Sequence, residues 1–203
     1  PEREEVAREL EQRLRYMRDT EGCVPDVLTF AGNGEPTVHP DFAAIIDNTI
    51  RLRNMYCPQA KVSVLSNATR AHLPEVKKAL LKVDNNILKL DTVDPRYIQL
   101  VDRPVGSYDI GKIIETICQY EGKCIIQTLF MKGECGGVSV DNTGNEYVTP
   151  WLEALSKIAP QQVMIYTIDR ETPLSGLCKA TPEELDNIAQ RVKALGLAVS
   201  VSY

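Results

Sequence analysis

Phe30-Ala31-Gly32-Asn33-Gly34-Glu35-Pro36-Thr37-Val38-His39-Pro40-Asp41-Phe42 comes directly after the short apolar run Val27-Leu28-Thr29, and it carries the strongest clue to the architecture. Two glycines let the backbone turn sharply and leave its N–H and C=O groups open to a ligand. The Glu35 carboxylate comes next, at the mouth of the strand, where it can take an ammonium group, and Pro36 stiffens the exit. The same residues also suit a tight strand-to-helix turn ending in a solvated acid. Chemistry alone leaves both readings open.

On either side of this segment, short β-branched or apolar runs return at regular intervals, at 61–66, 86–91, 124–130, 162–168 and 197–202. Helical patterns lie between them. The chain opens with Val6, Leu10, Leu14 and Met17 at steps of three and four among charged neighbours. Further helices are expected over 41–54, 73–81, 109–120 and 149–158, the last starting at Thr149 with Pro150 in its first turn. Thr181-Pro182-Glu183-Glu184 reads as a cap, a first-turn proline and acidic residues opening a helix to about Leu195, which Gly196 ends. The Gly-rich, polar stretch 131–148 is expected to be an active-site loop.

Strands alternating with helices at this spacing predict an α/β fold built on a parallel sheet, with helices covering near-continuous apolar strands. No repeat, low-complexity tract or linker interrupts the chain, so a single domain over 1–203 is expected. An open doubly wound sheet and a partial barrel give the same element string. In both, ligands sit at the carboxyl ends of the strands, so the residues just past each strand are the candidates for chemistry.

The run over 30–42 closely resembles the segment after the second barrel strand of radical S-adenosylmethionine (SAM) enzymes, where two glycines and a glutamate bind the methionine amino group of SAM. The resemblance places Gly32, Asn33, Gly34 and Glu35 in that role, with Asn33 standing where glycine is commoner. Ser66 and Asn67, in Leu65-Ser66-Asn67-Ala68-Thr69, are similar to the end of the family's third strand. Asp91, in Leu88-Lys89-Leu90-Asp91, and the 94–104 stretch resemble the end of the family's fourth strand and the residues after it. Gln127 and Thr128 fall where members contact ribose or substrate, and 163–173 resembles the sixth strand end, pointing to Tyr166, Asp169 and Arg170. Taken singly, Asn67 and Asp91 also suit turns and caps, and Arg103 and Arg170 surface ion pairs. His39 reads as a helix-flanking residue, and His72 and Trp151 as structural.

The resemblance implies a partial (β/α)6 TIM-like barrel of parallel strands, truncated at its N-terminus. It also implies SAM bound next to a [4Fe–4S] cluster, reductive cleavage of SAM to a 5′-deoxyadenosyl radical, and hydrogen abstraction from a substrate. A reductant such as flavodoxin or ferredoxin would supply the electron. The family's Cys-x3-Cys-x2-Cys cluster loop has no counterpart among Cys23, Cys57, Cys118, Cys124, Cys135 and Cys178. That loop is expected upstream of Pro1, so this polypeptide is expected to be inactive by itself. The substrate stays open between protein or peptide, RNA and small molecule.

Composition fits this reading. Hydrophobic residues make up 43% and charged residues 25%, an ordinary globular balance. The net charge of −5 advertises no broad nucleic-acid or anionic-membrane surface. No apolar run approaches the roughly 20 residues needed to span a bilayer, and free thiols point to a reducing cytoplasm. Two other readings compete: a cluster-less nucleotide-binding or protein-interaction module of the same fold, and an unrelated α/β enzyme whose glycine turn binds phosphate. The second lacks both G-x-x-x-x-G-K-[ST] and G-x-G-x-x-G.

Overall fold

A computed structural model describes residues 1–32, 34–169 and 176–203. The chain packs as two compact units, Pro1–Ile87 and Leu88–Tyr203, and the division falls inside strand β3 (Asn85–Lys89).

In the first unit, helix α1 (Arg3–Tyr16) buries Leu14 against Leu52, Tyr56, Cys57 and Ala60, with Leu10 and Leu28 packed beside them. Strand β1 (Val27–Phe30) pairs in parallel with β2 (Lys61–Ser66), in register from Val27↔Lys61 to Phe30↔Val64. The crossover between them is a 3-10 turn (Pro36–Val38) and helix α2 (Phe42–Tyr56). That helix turns Phe42, Ile45, Ile46, Thr49, Leu52 and Tyr56 inward, the spacing that puts side chains on one helical face. Helix α3 (Pro74–Leu80) follows, with Pro74 at its first position, where the missing N–H costs nothing.

In the second unit, α4 (Pro95–Val101), α5 (Ile110–Cys118), β4 (Ile125–Leu129), β5 (Met131–Cys135) and β6 (Val138–Ser139) come in turn. They are followed by α6 (Asn145–Ile158), β7 (Gln162–Tyr166), β8 (Leu177–Lys179), α7 (Pro182–Ala194) and β9 (Val199–Ser202). Strands β4, β7 and β9 run parallel, in register Gln127↔Met164↔Ser200 and Leu129↔Tyr166↔Ser202. With β1, β2 and β3 they make six strands alternating with helices along the chain, the parallel α/β pattern that the sequence predicts.

The stretch 131–148 corrects the expected loop. It forms the β5–β6 hairpin, turned by Gly136 and Gly137 at φ 61° and 77°, and β8 pairs antiparallel on the other side of β5. Its glycines and polar residues read as loop, yet Met131, Cys135 and Val140 are buried with Tyr97. Helix α6 likewise begins at Asn145 and not at Thr149, leaving Pro150 inside it. The extra turn is held by buried Val148 and by the edge-to-face contact of Tyr147 with Tyr97 at 5.4 Å, which offset the missing Pro150 N–H. Among the described residues, no helix is long and apolar enough to cross a membrane.

Candidate functional site

In the first unit, the glycine loop leaves β1 and lines a cavity of ≈380 Å³ with Phe30, Ala31, Gly32, Gly34, Glu35 and Val38. Gly32 has φ 140°, a conformation that side-chain-bearing residues rarely adopt, and a Cβ on Gly32 or Gly34 would meet nothing within 4 Å. The loop backbone therefore faces open space. Glu35 turns its carboxylate onto the chain. Its Oε1 accepts from Thr37 N at 3.1 Å, Thr37 Oγ1 at 2.5 Å and Ser66 Oγ at 2.8 Å, and its Oε2 accepts from Asn67 N at 2.7 Å. With about two lone-pair sites on each carboxylate oxygen, Oε2, which holds the Asn67 N–H, keeps room for one more donor.

That acid joins the two strand ends of this unit. Ser66 Oγ also accepts from Ala68 N at 3.1 Å, while Asn67 Oδ1 accepts from Thr69 N at 3.0 Å and Thr69 Oγ1 at 2.6 Å. Gly32, Gly34, Glu35, Ser66 and Asn67 are thus gathered at one place. Asn33 and Arg170 lie outside the described residues. His39 takes its flanking role: Nδ1 accepts from Asp41 N at 3.0 Å, and Nε2 lies 3.0 Å from the carbonyl oxygen of Pro1.

In the second unit, the register of β4 with β7 puts Gln127, Leu129, Met164 and Tyr166 on one half-buried face, because alternate residues of a strand share a side. Ile126, Thr128, Val163 and Ile165 are buried on the other face. Lys89 Nζ lies 3.0 Å from Asp91 Oδ2, and Asp91 Oδ1 accepts from Leu129 N at 2.8 Å. The Asp91 charge, outweighing burial, raises the Lys89 ammonium pKa well above the ordinary lysine value. Burial raises the Tyr166 phenol, opposed by the charge and hydrogen bond of Lys89. Asp91 and Tyr166 therefore share one ionic group, and Gln127 stands on the β4–β7 face that carries Tyr166. Asp169 is exposed, 3.7 Å from Lys179.

Two further ionisable groups feel this ion pair. The carboxyl of Asp102 is pushed up to about 6, first by burial and then by repulsion from Asp91, with Lys89 opposing. Asp102 is an exposed residue by its surface area, so the pressure on it comes from nearby protein atoms on one side and a like charge, not from enclosure. Tyr108 is pushed up to about 12 by burial, with Asp102 and Asp91 adding to it. Lys89 is the functional candidate that sequence reasoning passes over, although its spacing from Asp91 is an available signal. Arg103 turns to its own surroundings, donating from Nε to Leu100 O at 3.2 Å and from Nη2 to Cys135 Sγ at 3.5 Å.

The glycine cradle and its acid fit the ammonium and backbone-binding needs of a SAM-type ligand. An iron–sulfur cluster does not fit this chain's own residues. Among the described residues, no group of three His, Cys, Asp or Glu side chains is placed to hold a metal, and Cys57, Cys124 and Cys135 are buried.

No protein-family model matches the chain. It is 28% identical over 193 residues to a UPF0026 protein of Helicobacter pylori, covering 85% of this chain and 59% of that protein. A UPF0026 protein of Synechocystis is 28% identical over 153 residues, 73% of this chain and 52% of its own. The chain thus spans about half the length of these curated relatives. Among solved structures, it is similar to a radical SAM methyltransferase from Sphaerobacter thermophilus, with TM-score 0.67 and 15% identity over 96% of this chain and 55% of that one. A domain of pyruvate-formate lyase-activating enzyme from Bacteroides vulgatus gives 0.61 and 17% over 86% and 97%. Streptococcus suis SuiB, bound to precursor peptide SuiA, gives 0.66 and 15% over 97% and 42%. The chain shares the fold of these three structures, a partial TIM-like α/β barrel of parallel strands.

Proposed function

We propose that this chain is the SAM-binding part of a single radical SAM core domain in an intracellular enzyme. The observation that carries the reading is the loop at the end of β1. There an open glycine backbone is backed by a carboxylate wired to the end of β2. Gly32, Asn33, Gly34 and Glu35 would hold the methionine end of SAM, with Ser66 and Asn67 fixing the acid. Asp91, Gln127, Tyr166 and Arg170 would take the rest of the cofactor. When bound beside a reduced [4Fe–4S] cluster, SAM supplies hydrogen-abstracting chemistry through its reductive cleavage. The cluster's cysteines are expected elsewhere in the protein, and flavodoxin or ferredoxin is the expected reductant.

This chain's residues bind and orient. The loop N–H and C=O groups meet the ammonium and carboxylate ends of the ligand, and the carboxylate of Glu35 adds a charge of the sign an ammonium needs. SuiB, of the same fold, was solved with a precursor peptide, and a peptide or protein is the substrate class we favour here. The test uses the full-length protein, purified anaerobically, reconstituted with iron and sulfide, and reduced with dithionite. SAM should be converted to 5′-deoxyadenosine above a no-enzyme control, with candidate peptides present. A verified cluster with no product and no calorimetric SAM binding would overturn the reading.

A further inference from the structure

We infer that Asn142 is a positioning residue for the Asp91–Lys89 ion pair, a role that no motif in the sequence marks. Asn142 is fully buried. Its Nδ2 donates to Leu129 O at 2.8 Å and to Asp91 O at 3.3 Å, and its Oδ1 accepts from Met131 N at 2.9 Å. Its own backbone N–H donates to Met131 O at 3.2 Å. Only a primary amide offers two donors and an acceptor in this compass, and the fixed backbone partners settle which end is nitrogen.

The clamp matters because of what it grips. Leu129, whose carbonyl Asn142 holds, gives its N–H to Asp91 Oδ1. Asn142 therefore grips the backbone of Asp91 and also the residue that anchors its side chain. The other oxygen, Oδ2, is the one that meets Lys89 Nζ at 3.0 Å. Just upstream, Leu90 N donates to Gln127 O, and Leu90 O accepts from Thr128 Oγ1 and Trp151 Nε1, so Leu90 is tied down as well. Loss of the amide removes the bridge between the Leu129 and Asp91 carbonyls and leaves the Leu129 N–H to hold the carboxylate unaided. The carboxylate then leaves the ammonium it holds.

The consequence for SAM or substrate rests on the proposed function, but the test does not. In the full-length protein, Asn142→Ser and the nearly isosteric, apolar Asn142→Leu are compared with wild type. Acetylation of Lys89 by acetic anhydride at pH 9 is followed by mass spectrometry, with exposed Lys193 as the internal reference. A protonated, paired Lys89 resists acylation, and Asp91→Asn sets the ceiling once the pair is gone. The variants should label Lys89 about tenfold faster relative to Lys193, one pKa unit being a tenfold change in free amine. Leu155→Ala, which loosens the same unit from inside α6, should leave that ratio unchanged. Equal ratios in wild type and both Asn142 variants would overturn the inference, leaving Asn142 a purely structural group. An equal rise in Leu155→Ala would do the same. Failure of wild type to bind SAM would sink the proposed function and leave this result standing.

Discussion

The Oε2 of Glu35 accepts a hydrogen bond at 2.7 Å from the backbone N–H of Asn67, the first residue beyond β2. With Ser66 Oγ on Oε1, one carboxylate fastens two neighbouring strand ends of the first unit. The acid is therefore a brace for the loop as well as a candidate ligand, and the two roles separate by experiment.

Glu35→Gln keeps the shape but brings an NH2 group against donors. Leaving a buried or half-buried donor unmatched costs about 1–3 kcal/mol. We expect the variant to lose stability on that scale in urea unfolding and to lose SAM affinity in calorimetric titration of the full-length protein. Ser66→Ala removes one donor and leaves the carboxylate charged, so it should cost about 1 kcal/mol with a smaller change in affinity. Equal affinity in Glu35→Gln and wild type would remove Glu35 from the proposed SAM site.

Asp102 gives a pH signature. Its carboxyl rises from 3.8 to about 6 in the folded chain, so the folded state binds a proton more tightly than the unfolded one. The associated stability is fully present below pH 3.8 and is lost as pH rises through about 6. A carbon-13 titration of the Asp102 carboxyl should show a midpoint near 6. Asp91→Asn should lower it by removing the like charge, and Lys89→Gln should raise it. Asp102→Asn should flatten the stability profile across that window. An ordinary aspartate midpoint would show that burial and Asp91 exert no pressure there.

How far the chain can be read from its sequence depends on these same groups. Strands and helices of the parallel pattern are legible because apolar spacing reports burial directly, as in Phe42, Ile45, Ile46 and Leu52 of α2. The β5–β6 hairpin is not, since Gly133, Gly136 and Gly137 carry no apolar period. Gly133 is required by close approach: a Cβ there would collide with the Gly176 carbonyl oxygen across the β5–β8 pair. The loop over Gly32 to Glu35 is legible as a turn beside an acid. Its wiring to Ser66 and Asn67, 31 and 32 residues on, exists only once β1 and β2 pair. Lys89, Asp102 and Asn142 stay silent in sequence for the same reason, because their meaning lies in partners that folding brings to them.

The start of α7 tests a local rule that the sequence does state. Thr181 Oγ1 accepts from Glu184 N at 3.2 Å, and Glu184 Oε2 accepts from Thr181 N at 2.7 Å, a reciprocal capping box. Lys132 Nζ lies 3.0 Å from the same Glu184 oxygen, linking the helix start to β5. Thr181→Ala should cost about 1 kcal/mol, the usual loss for a cap of this kind. Glu184→Ala should cost at least as much, since it removes the box and the Lys132 contact together. A double-mutant cycle on chemical denaturation checks the coupling, and additive losses would mean the two halves of the box act independently.

Trp151 and Thr128 make a second pair whose losses should not add. Trp151 is 1% exposed, and its Nε1–H is shared between Leu90 O at 3.1 Å and Thr128 Oγ1 at 3.2 Å. Thr128 in turn donates to Leu90 O at 2.8 Å. Trp151→Phe keeps most of the ring against Phe130, which it meets edge-on at 5.3 Å, and leaves Leu90 O one donor. That change should cost about 1 kcal/mol for the bond, plus a packing term for the lost ring volume. Thr128→Val likewise leaves Trp151 on the carbonyl and should cost about 1 kcal/mol. The double variant leaves the carbonyl oxygen of Leu90 with neither donor, so its loss should exceed the sum by about 1–3 kcal/mol. Strict additivity in urea unfolding would show that Leu90 O finds another donor, and that the end of β3 is not held from α6.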